Sequence, residues 1–217
     1  PGLSEANFGS GCMQDTTEVV EVVSAEGRIW MDRNLGAQRA ALSIDDSLAY
    51  GALYQWGRSA DGHQSRESDT TTTLASTSAC PGGAWDGKFI VTQFPYDWLS
   101  TPDSLLWQGV NAVNNPCPTG FRLPSESEWQ AEKDLWSENN TTGAFASPLK
   151  LPGSGYRGKN SGITFTDGSV GNYWSSSAGE LIPYSGPNLP IARTLLFTST
   201  SADFFNYDRA HGFAVRC

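Results

Sequence analysis

The chain is poor in charge, in histidine and in long apolar runs. Charged residues make up only 17% of its 217 positions, too few to solvate long exposed helices. Lysine and arginine number 14 against 23 aspartate and glutamate, for a net charge of −9. An acidic surface repels phosphate backbones and anionic bilayers, which argues against nucleic-acid binding and membrane docking. No apolar run approaches the roughly 20 residues that span a bilayer, so no membrane insertion is expected. With 2 histidines, His63 and His211, a three-histidine metal site is excluded, and a Ser-His-Asp triad would have to use one of these two. The chain also lacks G-x-S-x-G, the phosphate loop G-x-x-x-x-G-K-[ST] and H-E-x-x-H. The adjacent Asp45 and Asp46 sit where helix capping accounts for them. The chain is therefore read as a non-enzyme with no cofactor, although loop carbonyls could hold a structural calcium. Its 4 cysteines, at 12, 80, 117 and 217, show no CxxC spacing and so no zinc site. They allow three pairings, or free buried thiols.

Aromatics and turn formers are abundant. Eight Trp, 10 Phe and 7 Tyr supply a packed core, while 23 Gly and 12 Pro demand many turns. Residues 1–16 read as a polar arm and 17–217 as one domain. Thr17–Val23 and Arg28–Met31 form a hairpin around Ser24-Ala25-Glu26-Gly27. Asp45–Gly57 reads as a first helix, with Leu48, Ala52, Leu53 and Trp56 at helical spacing. Residues 59–115 have no period but carry scattered aromatics, and read as a long ordered loop insertion. Ser125 and Glu128 form a capping box that opens a helix running to about Ser137, with Trp129, Leu135 and Trp136 on one side. Asn139–Gly143 closes it, and Asn140-Thr141-Thr142 is a glycosylation sequon. Short strands follow at Leu149–Tyr156, Ile163–Phe165, Tyr173–Ser176, Ile191–Thr198, Ala202–Tyr207 and Gly212–Arg216. Two helices with short, mainly antiparallel strands define an α+β fold.

Several motifs in order resemble the Fibrobacter succinogenes major paralogous domain family. They are Arg28–Leu35 (RIWMDRNL), Tyr50–Arg58 (YGALYQWGR), Tyr96-Asp97-Trp98, the run from Leu106 to Pro124 (LWQGVNAVNNPCPTGFRLP), Phe145–Tyr156, Tyr173–Ser176 (YWSS), Ala192-Arg193 and Arg209–Cys217 (RAHGFAVRC). The resemblance implies a C-type-lectin-like fold. Phe121–Trp129 (FRLPSESEW) is similar to a segment of the formylglycine-generating enzymes, which share that fold. Their activity depends on C-terminal cysteines, and Cys217 is the only cysteine in the last hundred residues here. The fold carries over and the activity does not. Calcium lectin motifs E-P-N and W-N-D are absent as well. The resemblance implies a Cys117–Cys217 bridge at two framework positions of the family, which leaves Cys12 with Cys80. Arg122 and Arg209 lie among core-like residues, where a guanidinium satisfies several carbonyls or a buried carboxylate.

The C-terminal segment also looks like the variable region of proteins diversified by retroelements, in which adenines of a template are mutated. The framework is Tyr173–Ser176, Ala192-Arg193, Leu195, Phe197, Arg209-Ala210, Gly212 and Val215–Cys217. Between these positions lie Asn172, Thr194, Leu196, Thr198, Ser201, Asp203, Phe205, Asn206, Tyr207, Asp208 and His211, each reachable from an AAY codon. The insert Gly179–Pro190 adds Tyr184 to the candidate ligand-binding set. Alternation puts Thr194, Leu196 and Thr198 on one strand face and Leu195 and Phe197 on the other. Asp203, Phe205 and Tyr207 alternate likewise. Exposed aromatics beside Asp, Asn and His suit recognition. In the plainer alternative, Phe205 and Tyr207 are core residues. The resemblance implies a receptor-recognition protein on a virus, phage or microbial surface, extracellular or on the virion. Its partner would be a protein or glycan on another cell or particle. A non-diversified adhesin or lipoprotein of the same family is the main alternative, and a formylglycine-type enzyme the remote one.

Overall fold

The computed structural model describes residues 16–109, 111–166, 168–179 and 189–217. They form an α+β fold of small sheets and two short helices. Strands β1 (Glu21–Val23) and β2 (Ile29–Met31) make the expected antiparallel hairpin. Its turn closes through Ser24 N–H on the Arg28 carbonyl at 2.8 Å, and Gly27 supplies φ +87°.

The expected helix at 45–57 does not form. A single 3-10 turn, Ser47–Ala49, follows Asp46, whose carboxylate accepts from Leu48 N–H and from the Arg39 fork at 3.0 Å. Gly51 then takes φ +70°, and a Cβ there would strike the Leu35 carbonyl. The chain leaves as strand β3 (Tyr54–Gln55), which pairs with the C-terminal strand β11 (Gly212–Phe213). Leu53, Tyr54, Gln55 and Trp56 are all buried, so the apolar spacing there marks a strand enclosed on both faces rather than a helix stripe.

Within the insertion, β4 (Thr70–Thr71) and β5 (Phe89–Ile90) pair in parallel. Ala75, Ile90, Trp98, Leu99 and Leu106 build a separate small core beneath it. Trp98 Nε1–H donates to the Trp56 carbonyl at 2.7 Å, and Trp107 Nε1–H to the Asn114 carbonyl at 2.8 Å. Aromatics therefore hold this long segment, as its composition predicts.

Helix α1 (Glu126–Lys133) starts at the predicted box, with Ser125 and Glu128 capping reciprocally. It stops four residues earlier than expected, at the Asp134 cap, so Leu135 falls off the helix and is 56% exposed. Residues 139–143 do not merely close it. Asn140 accepts from Thr142 and Gly143 N–H and opens a second helix, α2 (Thr141–Ala146). Leu149 and Leu151–Gly155 are buried but irregular, Lys150 between them is exposed, and only Tyr156–Arg157 is strand (β6). It pairs with β7 (Thr164–Phe165) and with β11, which extends over Gly212–Phe213 alone rather than to Arg216.

The longest strands, β8 (Gly171–Ala178), β9 (Ile191–Phe197) and β10 (Ala202–Asp208), form an antiparallel sheet in the order β10-β9-β8. It separates two cores. Trp30, Trp129, Tyr173, Leu195 and Phe197 fill one side, and Trp56, Trp107, Trp174, Ala192 and Phe213 the other. Indole N–H groups tie the layers together. Trp56 donates to the Ser175 carbonyl at 2.9 Å, and Trp174 to the Tyr54 carbonyl at 2.7 Å.

Cys117 and Cys217 form a disulfide with Cα atoms 5.9 Å apart, closing a separation of 100 residues. Cys12, the expected partner of Cys80, lies outside the described residues, as does most of the 1–16 arm. Arg209 lies over the Trp56 ring at 4.6 Å and donates to the Asp103 carbonyl at 3.0 Å. Arg122 forks onto Glu128 at 2.6 and 2.8 Å. Both act within the fold. Arg216 is fully buried among neutral acceptors. It donates to Asn34 Oδ1 and to the Met31 and Leu149 carbonyls, and burial pushes its pKa down to about 10. No helix among the described residues is long and apolar enough to cross a membrane.

Candidate functional site

The register of the β8–β10 sheet decides where each candidate side chain points. Thr194 stands opposite Phe205 and Trp174, Leu196 opposite Asp203 and Asn172, and Ala192 opposite Tyr207. Directly opposed residues share a face, so all of these lie on one side. Tyr173, Leu195 and Phe197 lie on the other, fully buried.

The candidate face is graded. At one end Trp174 and Ala192 are covered by the β3–β11 layer. Thr194 is 0% exposed and Asn172 only 2%. Neither reaches solvent, and Thr194 Oγ1 has no hydrogen-bond partner among the described residues. Toward the other end the face opens. Leu196 and Thr198 are half-buried, Ser201 and Asp203 are exposed, and Phe205 is 45% exposed. Thr198 and Ser201 also build the β9–β10 turn, where Thr198 Oγ1 accepts from Ser201 N–H at 3.2 Å. Asp203 Oδ1 accepts from Phe204 N–H at 2.7 Å.

Asn206 and Asp208 alternate onto the opposite side of β10. Asn206 accepts from Arg193, which also pairs with Glu126 at 2.5 Å. Asp208 pairs with Lys159. Tyr207 and His211 meet edge to face at 5.6 Å, and His211 stacks on Phe213 at 5.4 Å. Burial pushes the His211 pKa down to about 4, helped by the Lys159 charge, so the ring is neutral near pH 7. Tyr184 lies outside the described residues.

The structure adds neighbours that the strand pattern did not single out. Tyr156 stacks on Phe165 at 4.8 Å and meets His211 at 6.4 Å. Lys159 Nζ sits over the Tyr96 ring at 3.6 Å, and Phe94 packs on Tyr96 at 6.2 Å. The cue was present in Tyr156–Phe165, where two aromatics flank a Gly-rich turn, the mark of a cross-strand pair.

The other histidine belongs to the interior. His63 is fully buried, with Nδ1 2.7 Å from Asp61 Oδ1. Its Nε2 accepts from Gln55 N–H at 3.2 Å, which leaves the proton on Nδ1. Burial and then the Arg58 charge push its pKa down to about 4. Burial opposes the Asp61 charge, but His63 and Arg58 outweigh it and hold that carboxyl at about 2. The pair resembles a catalytic dyad in distance only, since the nitrogen that would activate a nucleophile is taken by a backbone amide. Among the described residues no group of three His, Cys, Asp or Glu is placed to hold a metal ion. A groove of about 340 Å³ lies elsewhere, lined by Arg28, Ile29, Trp30, Phe121, Arg122 and Glu128. Arg28 and Arg122 both pair with Glu128 there.

Comparison with family models, curated proteins and solved structures finds no match to this chain.

Proposed function

We propose that the chain is a ligand-binding protein of C-type-lectin-like fold whose C-terminal surface is diversified by a retroelement, carried on a virus, phage or microbial surface. The partner is a protein or glycan on another cell or particle. One observation carries the reading. Along β9 and β10 the framework residues Leu195 and Phe197 enter the core, while Leu196, Asp203 and Phe205 emerge at the open end of the opposite face. Side chains there can change without disturbing the packing beneath them, and rigid strands keep the ordering cost of binding low. The Cys117–Cys217 bridge, which pins the C-terminal framework, suits an oxidising extracellular setting.

Deep sequencing of codons 172–217 in the source population tests this. Substitutions confined to adenine-template positions, with framework codons constant, are expected. Codons uniform at 196, 203 and 205, or changes unrelated to adenine, would remove the diversified reading. A fixed adhesin module of the same fold is the second reading, favoured by the burial of Asn172 and Thr194, where free variation would enter the core.

A further inference from the structure

The outer edge of strand β2 is filled by the fold only in part. Ser24 N–H donates to the Arg28 carbonyl and Asp32 N–H to the Val20 carbonyl, both at 2.8 Å. In the antiparallel β1–β2 register these bonds make 24/28, 22/30 and 20/32 the bonded pairs, so Ile29 and Met31 turn their backbone groups away from β1. Met31 finds a partner on that side, donating to the Cys217 carbonyl at 2.7 Å, and Leu35 N–H reaches the Val215 carbonyl at 3.0 Å. Segment 215–217 thus runs antiparallel along this edge as far as Met31. The groove of about 340 Å³ opens there, lined by Arg28, Ile29 and Trp30 together with Cys217. A cavity that touches three consecutive strand residues meets the strand edge, because alternate side chains leave to opposite faces. Neither backbone group of Ile29 bonds to another of the described residues. Phe121 and Pro124 add apolar wall. Arg28 pairs with Glu26 at 2.7 Å and Glu128 at 2.8 Å, and Arg122 with Glu128 at 2.6 Å, so two cations meet two carboxylates and no net charge selects an ion. Exposure alone does not single out this place, since Val23, directly across from Ile29, is equally exposed at 59%. An unpaired edge beside a cavity does.

We propose that this groove is a second docking site, which takes an extended segment of a protein partner as an added strand on β2. The segment pairs its backbone with Ile29 and continues the ladder begun by Val215 and Cys217. Two observations select a strand. Its residues each carry a donor and an acceptor, which match the outward N–H and carbonyl of Ile29. The fold also seats a segment of this chain on the same edge two residues away, at Met31. The site is separate from the open face of β8–β10, and the proposal does not depend on what that face binds.

The test is an NMR titration of the full chain with a blocked Thr-Val-Thr-Val peptide, and with the same peptide N-methylated at both valines. Methylation removes strand donors and keeps the side chains. Saturable shifts at the Ile29 and Phe121 amides and slower hydrogen exchange at Ile29 are expected for the first peptide, with about tenfold weaker binding for the second. Ile29→Pro deletes the outward N–H without breaking a bond to β1 and should weaken the first peptide to a similar extent, while Ile29→Val should not. If the Ile29→Pro hairpin fails to form, the two peptides on the unaltered chain still decide. Equal binding of both peptides, or shifts at Glu21 and Val23 with none at Ile29, would overturn the proposal. So would the absence of any saturable shift at Ile29 at millimolar peptide. Ile29 shifts that follow protein concentration without peptide would give the groove to a second copy of this chain, and the partner would be wrong.

Discussion

The two faces of the β8–β10 sheet use alternate residues of the same strands and meet different surroundings. On one, Tyr173 and Phe197 stack at 5.6 Å, and Trp136 closes edge-on at 6.0 Å. A Cβ on Gly171 would collide with the Phe197 ring, so even the backbone there is fitted to that side chain. The other face is only half covered. The β3–β11 layer seals Trp174 and Ala192, and the cover ends before Phe205. One strand can therefore hold the fold with odd positions and face outward with even ones, but only where the second layer stops.

The sharpest contrast should come from truncating each face. Phe197→Ala is expected to cost about 3–5 kcal/mol in urea unfolding, since it empties a filled core site. Phe205→Ala is expected to stay under about 1 kcal/mol. Equal costs would mean that the two faces are both core, and the recognition reading would lose its support.

Acid should next act on the interior histidine His63. The folded-state pKa of His63, about 4, lies below the ordinary 6.5. A depressed histidine contributes stability above pH 6.5 that is lost as pH falls toward 4, by up to about 3 kcal/mol. Asp97 opposes this. Burial raises its carboxyl to about 6, so its contribution grows as pH falls through 6. His211, also depressed to about 4, contributes in the same window, so His63→Gln should make the acid limb of stability against pH shallower without removing it, and an unchanged limb would assign it to other groups.

A smaller effect probes the boundary of the candidate face. Thr194→Tyr places a ring at a fully buried position and should cost about 1–3 kcal/mol by overpacking. Leu196→Tyr, two residues on and half-exposed, should be nearly neutral. If thermal melts show both tolerated alike, the cover over Thr194 is looser than its burial indicates.

Some of this was legible in residue order, for definite reasons. The capping box at Ser125 and the hairpin at Ser24–Gly27 are local hydrogen-bonding devices, and their residues suffice to specify them. Alternation along β9 and β10 is a period-2 property and placed Leu195 and Phe197 opposite Thr194 and Leu196. The helix expected at 45–57 failed because Gly51 takes a left-handed conformation and β11, about 160 residues away in the chain, claims Tyr54 and Gln55. Thr194 looked like a surface residue because alternation gives the face and not what covers it. Phe165 was missed because its partners Tyr156 and His211 come together only through the β7-β6-β11 order.

The amino-acid order by itself determined the acidic, turn-rich, aromatic character of the chain, its local caps and turns, and the two-sided pattern of its C-terminal strands. These depend on neighbours within a few residues, or on composition alone. Tertiary structure decided which of those sides is open, where the cover stops, and that Tyr156, outside the C-terminal segment, meets His211 within it. Such outcomes depend on which distant strands pair, and burial is a property of the partner layer as much as of the residue itself.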